Sequence, residues 1–254
     1  MSVKVFISGS ISIKKIPRDV FTSLDKIISS NFEILVGDAY GVDKLVQEYC
    51  LNKNYFRVTV YSILATPRNR ISEYFNYKKI QVDVNIKNGA ERQQQKDIAM
   101  TKDSDYSFVI WDEKSRGSYQ NIVRAIKSNK KVKVYLMRHK KFLEKNKITQ
   151  KEIEYIFRER NGYTASEVII YLRENVSGYL KNSHDLYKYL LRKSLIKKEN
   201  NIYLPVDNKS KMFIVDTYKG RSKGIRFSNE FIKWIKNELK FTLQKETTFF
   251  ENIA

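Results

Sequence analysis

The stretch Ser104–Ile126 reads SDYSFVIWDEKSRGSYQNIVRAI and predicts a β-strand, a short polar turn and then a helix. The apolar run up to Trp111 suits a buried strand, and Gly117 and Ser118 stand where the next helix begins. A turn that leads from a strand into a helix N-terminus collects backbone N–H groups and partial positive charge, which favours phosphate binding. The residues at 119–121 are Tyr-Gln-Asn, so no acid follows this turn.

The same alternation of strand and helix covers the first 138 residues. Apolar runs typical of buried strands stand at 3–8, 32–37, 56–62, 104–112 and 131–137. Helical patterns begin near Pro17, Gly41 and Gly117. Such alternation predicts right-handed crossovers and therefore an α/β fold with a Rossmann-like, doubly wound parallel sheet. The weakly patterned stretch 62–90 is typical of a functional lid or a mobile loop.

The second half of the chain has a different pattern and predicts a small second domain. Helical patterns cover 148–160, 163–176, 183–196 and 229–241, strand-like runs cover 200–206 and 211–218, and a basic turn stands at 219–224. Thr164 and Glu167 have the spacing of a capping box, and Ser183 suits a helix cap. This order predicts a winged helix-turn-helix.

The predicted organisation therefore has three parts. Residues 1–138 form a Rossmann-like nucleotide-binding domain, 139–149 a basic, helix-prone connector, and 150–254 a winged-helix-like nucleic-acid-binding domain.

The chain carries a large positive charge that is spread along its length. The formal net charge is +20, and residues 1–138 and 139–254 each contribute 24 basic less 14 acidic residues, or +10. Such a charge favours a polyanionic partner, with nucleic acid ahead of an acidic protein or a membrane surface. A lysine-rich composition that reflects only the coding sequence is the alternative.

Composition also excludes several classes of protein. At 42% hydrophobic and 30% charged residues the chain is globular rather than disordered. One cysteine and two histidines leave no internal disulfide and little for a soft metal site. The sequence shows neither a signal peptide nor an apolar run of about 18 residues. We therefore expect a cytoplasmic protein with no metal, no cofactor and no membrane partner.

Three predicted strand–helix junctions carry small or polar residues that suit a ligand. The carboxyl ends of parallel strands meet at one sheet edge, where nucleotides bind in such folds. The expected ligand-binding residues at the three junctions are Ser8, Gly9 and Ser10, then Gly37, Gly41 and Asp43, then Ser115, Gly117 and Ser118. Neither a Walker loop nor a GxGxxG motif is present, which disfavours a P-loop NTPase or an NAD-type dehydrogenase.

Acids at these junctions are the candidate catalytic groups. Asp38 is the first candidate, as a contact to a ribose hydroxyl or as a base. Asp112 is the second candidate, with the start of a turn as the alternative. Asp43 is either a ligand contact or a charge at a helix N-terminus.

Three further residues have two interpretations each. Arg92 and Lys96 either hold a phosphate or form a solvated helix face. Trp111 either stacks on a base or belongs to the core.

Four blocks of the N-terminal half together resemble the SLOG superfamily of Rossmann-like proteins. These blocks are FISGS, ILVGDAYGVDKLVQEY, KDIAM and DYSFVIWDEKSRGSYQNI, and the resemblance covers residues 3–137. The superfamily includes the LOG nucleotide phosphoribohydrolases, whose pattern is R-K-x-x-M, a strand, then P-G-G-x-G-T-x-x-E. Lys96–Met100 is similar to the first part and Ser115–Asn121 to the second. The resemblance implies a nucleotide pocket, often at a dimer interface, and hence a homo-oligomer.

The resemblance also implies N-glycosidic bond cleavage, as in the neighbouring nucleoside 2-deoxyribosyltransferases, but the chain departs from the pattern at the catalytic acid. Such cleavage needs a carboxylate near the anomeric carbon because its transition state resembles an oxocarbenium ion. Gln120 and Asn121 stand where the LOG pattern ends in an acid. Two interpretations stay open, an N-glycosidase or transferase and a sensor that binds a nucleotide without turnover.

The second half resembles the C-terminal domains of phage antirepressor-like proteins over residues 149–240. Basic residues follow the expected recognition helix and the expected wing, and the proposed nucleic-acid contacts are His184, Lys188, Arg192, Lys193, Lys197, Lys198, Arg221 and Lys223. Lys219 and Arg226 belong to the same expected wing. A solvated basic surface or a protein-binding winged helix is the alternative.

The two-domain layout is similar to that of deoxyribosyltransferase-like effectors associated with retrons. It predicts a nucleotide-processing effector in phage defence. A non-enzymatic DNA-binding regulator, whose Rossmann-like domain senses a nucleotide or mediates assembly, is the alternative.

Overall fold

The computed structural model of the chain describes residues 2–176, 180–208, 210–218 and 220–251. The chain divides into two compact units, Met1–Glu154 and Tyr155–Ala254. This division falls a few residues beyond the predicted connector at 139–149. No helix within the described ranges is both long enough and apolar enough to cross a membrane.

The first unit is built on a seven-stranded, mostly parallel sheet. Its strands are β1 (Lys4–Gly9), β2 (Glu33–Gly37), β3 (Val58–Ser62), β4 (Asn76–Lys79), β5 (Tyr106–Trp111), β6 (Lys131–Leu136) and β7 (Lys141–Phe142). They lie in the order β4-β3-β2-β1-β5-β6-β7. Only the β6–β7 pair is antiparallel. The direction of winding reverses between β1 and β5, which is the switch point at which such sheets bind ligands.

Helices of the first unit flank this sheet. They are α1 (Arg18–Ser29), α2 (Val42–Asn52), α3 (Gly89–Asp103) and α4 (Arg116–Lys127). Alternate residues of β1 serve different clusters: Val5 and Ile7 belong to the core that includes Leu24, whereas Phe6 packs with Met100. A strand with apolar residues on both faces requires cover on both sides. The predicted α/β class with a mostly parallel sheet is thus confirmed, and the architecture is Rossmann-like.

Three features of the first unit differ from the sequence prediction. β4 pairs with β3 inside the stretch 62–90 that was expected to be a loop. The connector, predicted to be helix-prone, holds β7 and a single 3-10 turn at Lys145–Lys147. Both strands are short edge elements of two to four residues, and such strands leave no periodic apolar signal.

The second unit combines helices with two hairpins. The boundary between the two units falls within α5 (Gln150–Asn161). The elements that follow are α6 (Ala165–Asn175), α7 (Ser183–Arg192), β8 (Ile196–Glu199), β9 (Ile202–Pro205), β10 (Phe213–Tyr218), β11 (Arg221–Phe227) and α8 (Asn229–Glu251). β8 pairs with β9, and β10 pairs with β11, both antiparallel. Side chains from α6, α7, β11 and α8 share one core around Leu186, Phe227 and Phe231.

Local predictions in the second unit are partly confirmed. The capping box of Thr164 and Glu167 is present at the start of α6. The cap of α7 was predicted one residue too late, because Asn182, not Ser183, accepts the Asp185 N–H at 3.0 Å. The strand-like runs at 200–206 and 211–218 do not pair with each other; each belongs to its own hairpin.

Candidate functional site at the switch point

A cavity of about 320 Å³ opens at the carboxyl ends of the central strands of the first unit. It lies at the switch point between β1 and β5. Of the ligand-binding residues expected from the sequence, seven line it: Ser8, Gly9, Asp43, Lys96, Ser115, Gly117 and Ser118. Its volume is near the lower end of the range of about 300–1,000 Å³ for small-molecule sites. All three predicted junctions therefore contribute to a single concave site.

Asp43 and Lys96 both lie against Gly37. A Cβ atom at residue 37 would lie 2.3 Å from Asp43 Oδ2 and 2.9 Å from Lys96 Nζ. Both side chains are more than nine-tenths buried. Gly37 therefore belongs to the site because only a residue without a side chain leaves room for these two groups.

The pKa of the Asp43 carboxyl group is raised toward neutral pH. Burial raises its pKa from 3.8 to about 6, although the charge of Lys96 and a hydrogen bond from the Ala39 N–H (3.1 Å) oppose the change. The neighbouring charge of Asp97 adds to the increase. A carboxyl group with a raised pKa in a cleft is a typical acid or base of an active site.

Lys96 keeps its charge in spite of its burial. Burial alone would lower the pKa of Lys96, but the charges of Asp97 and Asp43 outweigh it and raise the pKa. Lys96 Nζ donates a hydrogen bond to Asp97 Oδ1 at 3.1 Å. The cavity thus holds a buried ammonium group between two carboxyl groups.

Ser8 presents an unused hydroxyl group to the same cavity. Its side chain is 4% exposed, and its Oγ atom has no hydrogen-bond partner among the described residues. A buried hydroxyl group without a partner costs stability. The Ser8 hydroxyl group is therefore available to form a hydrogen bond with a polar atom of a ligand.

The neighbouring Ser10 does not line the cavity but joins two of its loops. Ser10 Oγ lies 3.4 Å from Ser118 Oγ and accepts the Asp112 N–H at 3.1 Å.

The N-terminus of α4 forms another wall. Ser115 is the N-cap, and its hydroxyl group accepts the Ser118 N–H at 3.4 Å. Arg116 and Gly117 begin the helix and line the cavity, so their N–H groups belong to the first turn that has no intrahelical partner.

The Asp112 carboxylate shapes this turn and does not line the cavity. It accepts hydrogen bonds from Ser115 N (2.7 Å), Lys114 N (3.0 Å) and Ser12 Oγ (2.7 Å). Burial opposes its ionisation, but these hydrogen bonds outweigh burial and lower its pKa.

Asp38, the first catalytic candidate from the sequence, is engaged by Arg68. Arg68 Nη2 donates to Asp38 Oδ1 at 2.7 Å, and Arg68 Nε donates to Asp38 Oδ2 at 3.2 Å. Ser62 Oγ donates to the same Oδ2 at 2.8 Å. Burial would raise the pKa of Asp38, but these donors lower it. Arg68, not Asp38, faces the cavity.

Three more expected ligand residues lie outside the cavity lining. Gly41 adopts φ 72°, a left-handed conformation that favours glycine, in the turn before α2. Arg92 donates from Nη1 to Ile86 O at 3.1 Å. Trp111 is fully buried, and its Nε1 donates to Ser115 O at 3.1 Å, which supports the core interpretation.

Sequence reasoning missed several residues that line the cavity. They are Arg68 from the β3–β4 loop, together with Gln93, Gln94 and Asp97 from α3. The available signals were weak: Arg68 follows Pro67 in a stretch without periodicity, and Asp97 stands beside Lys96 in the KDIAM block. A lysine and an aspartate that adjoin in sequence are usually solvated, so only the fold shows that Lys96 is buried and paired with Asp97.

The basic residues expected to contact nucleic acid separate into free and paired groups. His184, Lys188 and Arg192 are exposed and spaced by four residues along α7, so they share one helix face. By contrast, Lys193 pairs with Glu238 at 2.6 Å.

The hairpins carry the other basic candidates. Lys197 pairs with Glu199 at 2.8 Å, and Lys198 Nζ lies 5.6 Å from the centre of the Tyr203 ring. Arg221 and Lys223 lie exposed on β11, whereas Lys219 lies outside the described residues. The exposed row on α7 is thus a basic surface whose side chains form no ion pair with any described residue.

No protein-family model matches the chain, and no curated protein sequence matches it. Within the described residues, no cluster of three or more His, Cys, Asp or Glu side chains is placed to hold a metal ion.

Proposed function

We propose that the first unit binds a nucleotide in the switch-point cavity and cleaves or transfers its N-glycosidic bond, with Asp43 as the reacting carboxylate. The observation that carries this proposal is a buried Asp43 with its pKa raised to about 6, which lines the cavity beside Lys96. Nothing in a stable core requires a buried carboxyl group of this kind, because burial of an incompletely compensated charge costs free energy.

Asp43 supplies the negative charge that the reaction needs. In hydrolysis the bond from the anomeric carbon to the base nitrogen breaks, and its electron pair leaves with the base. The ionised Asp43 accepts a proton from the attacking water, whose oxygen bonds to the anomeric carbon. In transfer, the carboxylate itself bonds to that carbon as the base leaves, and a ring nitrogen of an acceptor base then displaces the carboxylate and loses its proton. Gln120 and Asn121 line the same cavity and cannot supply this charge, which leaves Asp43 and its neighbour Asp97.

Lys96 and Ser8 support this chemistry. The ammonium group of Lys96 keeps Asp43 partly ionised near neutral pH, since its charge opposes the effect of burial. The unpaired Ser8 hydroxyl group is available to a sugar hydroxyl or a phosphate oxygen. The start of α4 offers backbone N–H groups to a phosphate, as the resemblance to LOG proteins implies.

The decisive assay measures release of free base from the purified chain. We expect incubation with nucleoside monophosphates, deoxynucleotides and NAD to release base from at least one of them, detected by chromatography. Binding of a nucleotide without release would instead support a sensor. Neither binding nor release across the panel would reject the proposal.

We further propose that the second unit binds nucleic acid through α7 in a winged-helix arrangement. The exposed row of His184, Lys188 and Arg192 supports it, together with the basic β8–β9 and β10–β11 hairpins. Phosphate contacts suit such lysine-rich faces, since they need positive charge more than fixed geometry. A nucleotide-directed activity controlled by nucleic acid is the combined function, in an effector of the phage-defence type that forms homo-oligomers in the cytoplasm.

A further inference from the structure

We propose that Arg68 reads the base of the bound nucleotide and selects bases that present a carbonyl oxygen beside a ring N–H. Guanine, hypoxanthine, uracil and thymine share this keto edge, whereas adenine and cytosine present an amino group beside a ring nitrogen. The inference rests on the proposed nucleotide binding and adds a specificity that neither the sequence nor the proposed reaction requires.

Arg68 is fixed in place before any ligand arrives. Its Nε and Nη2 atoms hold both carboxylate oxygens of Asp38, and its backbone N–H donates to Asp38 Oδ2 at 3.1 Å. Asp38 is only 1% exposed and is held in turn by Ser62. A guanidinium group fixed by a buried partner loses little further freedom on binding, and this favours geometric recognition.

The remaining donors of Arg68 suit a neutral acceptor. Arg68 lines the cavity, and the described residues provide no hydrogen-bond partner for its Nη1 atom. Asp38 already balances the charge of Arg68, so a phosphate would be attracted only weakly to Arg68. The attraction is stronger at the start of α4, where Arg116 lines the cavity and has no acidic partner among the described residues. A carbonyl oxygen needs a directed N–H and no net charge.

Two glutamines of α3 complete the complementary pattern. Gln93 Oε1 accepts from Arg68 Nη2 at 3.1 Å, so the amide of Gln93 is tied to the same group. Gln94 Nε2 donates to Gln120 Oε1 at 3.0 Å, which leaves Gln94 Oε1 as an acceptor on the cavity wall. A donor from Arg68 and an acceptor from Gln94 match the carbonyl and N–H of a keto base, and they oppose an amino base.

Asp38 is a positioning residue in this account. It does not line the cavity but sets the orientation of Arg68. The sequence indicated Asp38 as a catalytic acid, whereas the geometry assigns it to specificity.

Titration calorimetry on the full chain tests the inference with two matched pairs of ligands. We expect inosine monophosphate to bind about tenfold or more tightly than adenosine monophosphate, and uridine monophosphate to show the same advantage over cytidine monophosphate. The first pair tests a purine pocket and the second a pyrimidine pocket; a preference in either pair supports the inference.

Variants separate specificity from general damage. Arg68→Gln should reduce the preference to about twofold or less, Arg68→Lys should keep part of it, and Asp38→Asn should weaken it although Arg68 keeps its charge. Arg92→Gln is the matched control, because Arg92 lies on the same helix as Gln93 but outside the cavity lining. It should leave the preference unchanged.

Two kinds of result would overturn the inference, and they differ in whether the proposed function is rejected as well. Equal affinity within both pairs, or a preference that survives Arg68→Gln, would reject base reading by Arg68 and leave the proposed function intact. Absence of binding by all four nucleotides would reject the inference, and absence of both binding and base release across the wider panel, with deoxynucleotides and NAD, would reject the proposed function as well.

Discussion

At the residue scale, the position of the Asp43 side chain requires a glycine at residue 37. The carboxyl group of Asp43 lies where a side chain at residue 37 would stand, so the glycine and the buried acid form one feature. The sequence indicated both residues as ligand-binding, because they lie at the junction between β2 and α2. It could not rank Asp43 above Asp38, since only tertiary contacts show that Arg68 engages Asp38 and that Asp43 is left in the cavity.

The raised pKa of Asp43 predicts the pH dependence of the reaction. The carboxylate acts in its ionised form, so kcat/KM should rise with pH and level off above an inflection near the pKa of about 6. A pH–rate profile of base release measures this. A rate that falls through this range would assign Asp43 the role of an acid.

Asp43→Asn should stabilise the fold near neutral pH. Since the pKa of Asp43 rises from 3.8 to about 6 on folding, ionisation lowers the free energy of unfolding as the pH rises through 6. The change corresponds to at most about 3 kcal/mol, and the neutral amide avoids it. Urea unfolding at pH 7 and at pH 4 should show a gain for the variant at pH 7 only. Equal gains at both values would contradict the burial argument.

Gly37→Ala should damage the cavity. The new Cβ would lie 2.3 Å from Asp43 Oδ2 and 2.9 Å from Lys96 Nζ, so both groups must move. Overpacking of this kind costs about 1–3 kcal/mol, and base release should fall.

Gly89→Ala is the matched control for this substitution. Residue 89 begins α3, and a Cβ there meets nothing within 4 Å. Thermal and chemical unfolding should therefore show unchanged or slightly higher stability. If Gly37→Ala behaved like Gly89→Ala, the close packing above residue 37 would be wrong.

At the scale of elements, the three strand–helix junctions were predictable and the β3–β4 loop was not. Each junction follows a long apolar strand, and parallel strands bring their carboxyl ends to one edge. The loop that delivers Arg68 lies between β3 and a four-residue edge strand, with no periodic pattern to fix its path. The sequence therefore predicted one side of the cavity and missed the side that carries Arg68.

The turn before α4 gives a prediction at this scale. Asp112 should act as a structural residue, because its carboxylate binds Ser115 N, Lys114 N and Ser12 Oγ. Asp112→Ala should lower the free energy of unfolding by about 1–3 kcal/mol, whereas Asp112→Asn should keep most of the stability and base release. Loss of turnover in Asp112→Asn, with its stability retained, would restore Asp112 as a catalytic group.

At the scale of the whole molecule, the positive charge is the feature that the sequence described most directly. The net charge of +20 follows from the numbers of basic and acidic residues alone and does not depend on the fold. The distribution of unpaired charge was not predictable. Lys193 and Lys197 are paired with acids, whereas Lys188 and Arg192 on α7 form no ion pair with any described residue. The β8–β9 hairpin was likewise missed, because β8 continues the basic run that follows α7.

Salt dependence separates these two groups of basic residues. Duplex binding by the full chain should weaken steeply as salt increases, by about 0.9 log unit per log unit of salt for each phosphate neutralised. The double variant Lys188→Gln with Arg192→Gln should make this slope shallower by about two such steps. Lys193→Gln, in which the substituted side chain is paired with Glu238, is the control with a smaller effect. A slope near zero for the unaltered chain would reject the nucleic-acid partner.

The central claim, that Asp43 cleaves a glycosidic bond in the switch-point cavity, is tested most directly by base release from Asp43→Asn. The account predicts that the variant binds the nucleotide, keeps its fold and loses base release by about a thousandfold or more. Asp83→Asn, which changes an exposed acid that does not line the cavity, should retain full activity. Base release by Asp43→Asn at the rate of the unaltered chain would contradict the account.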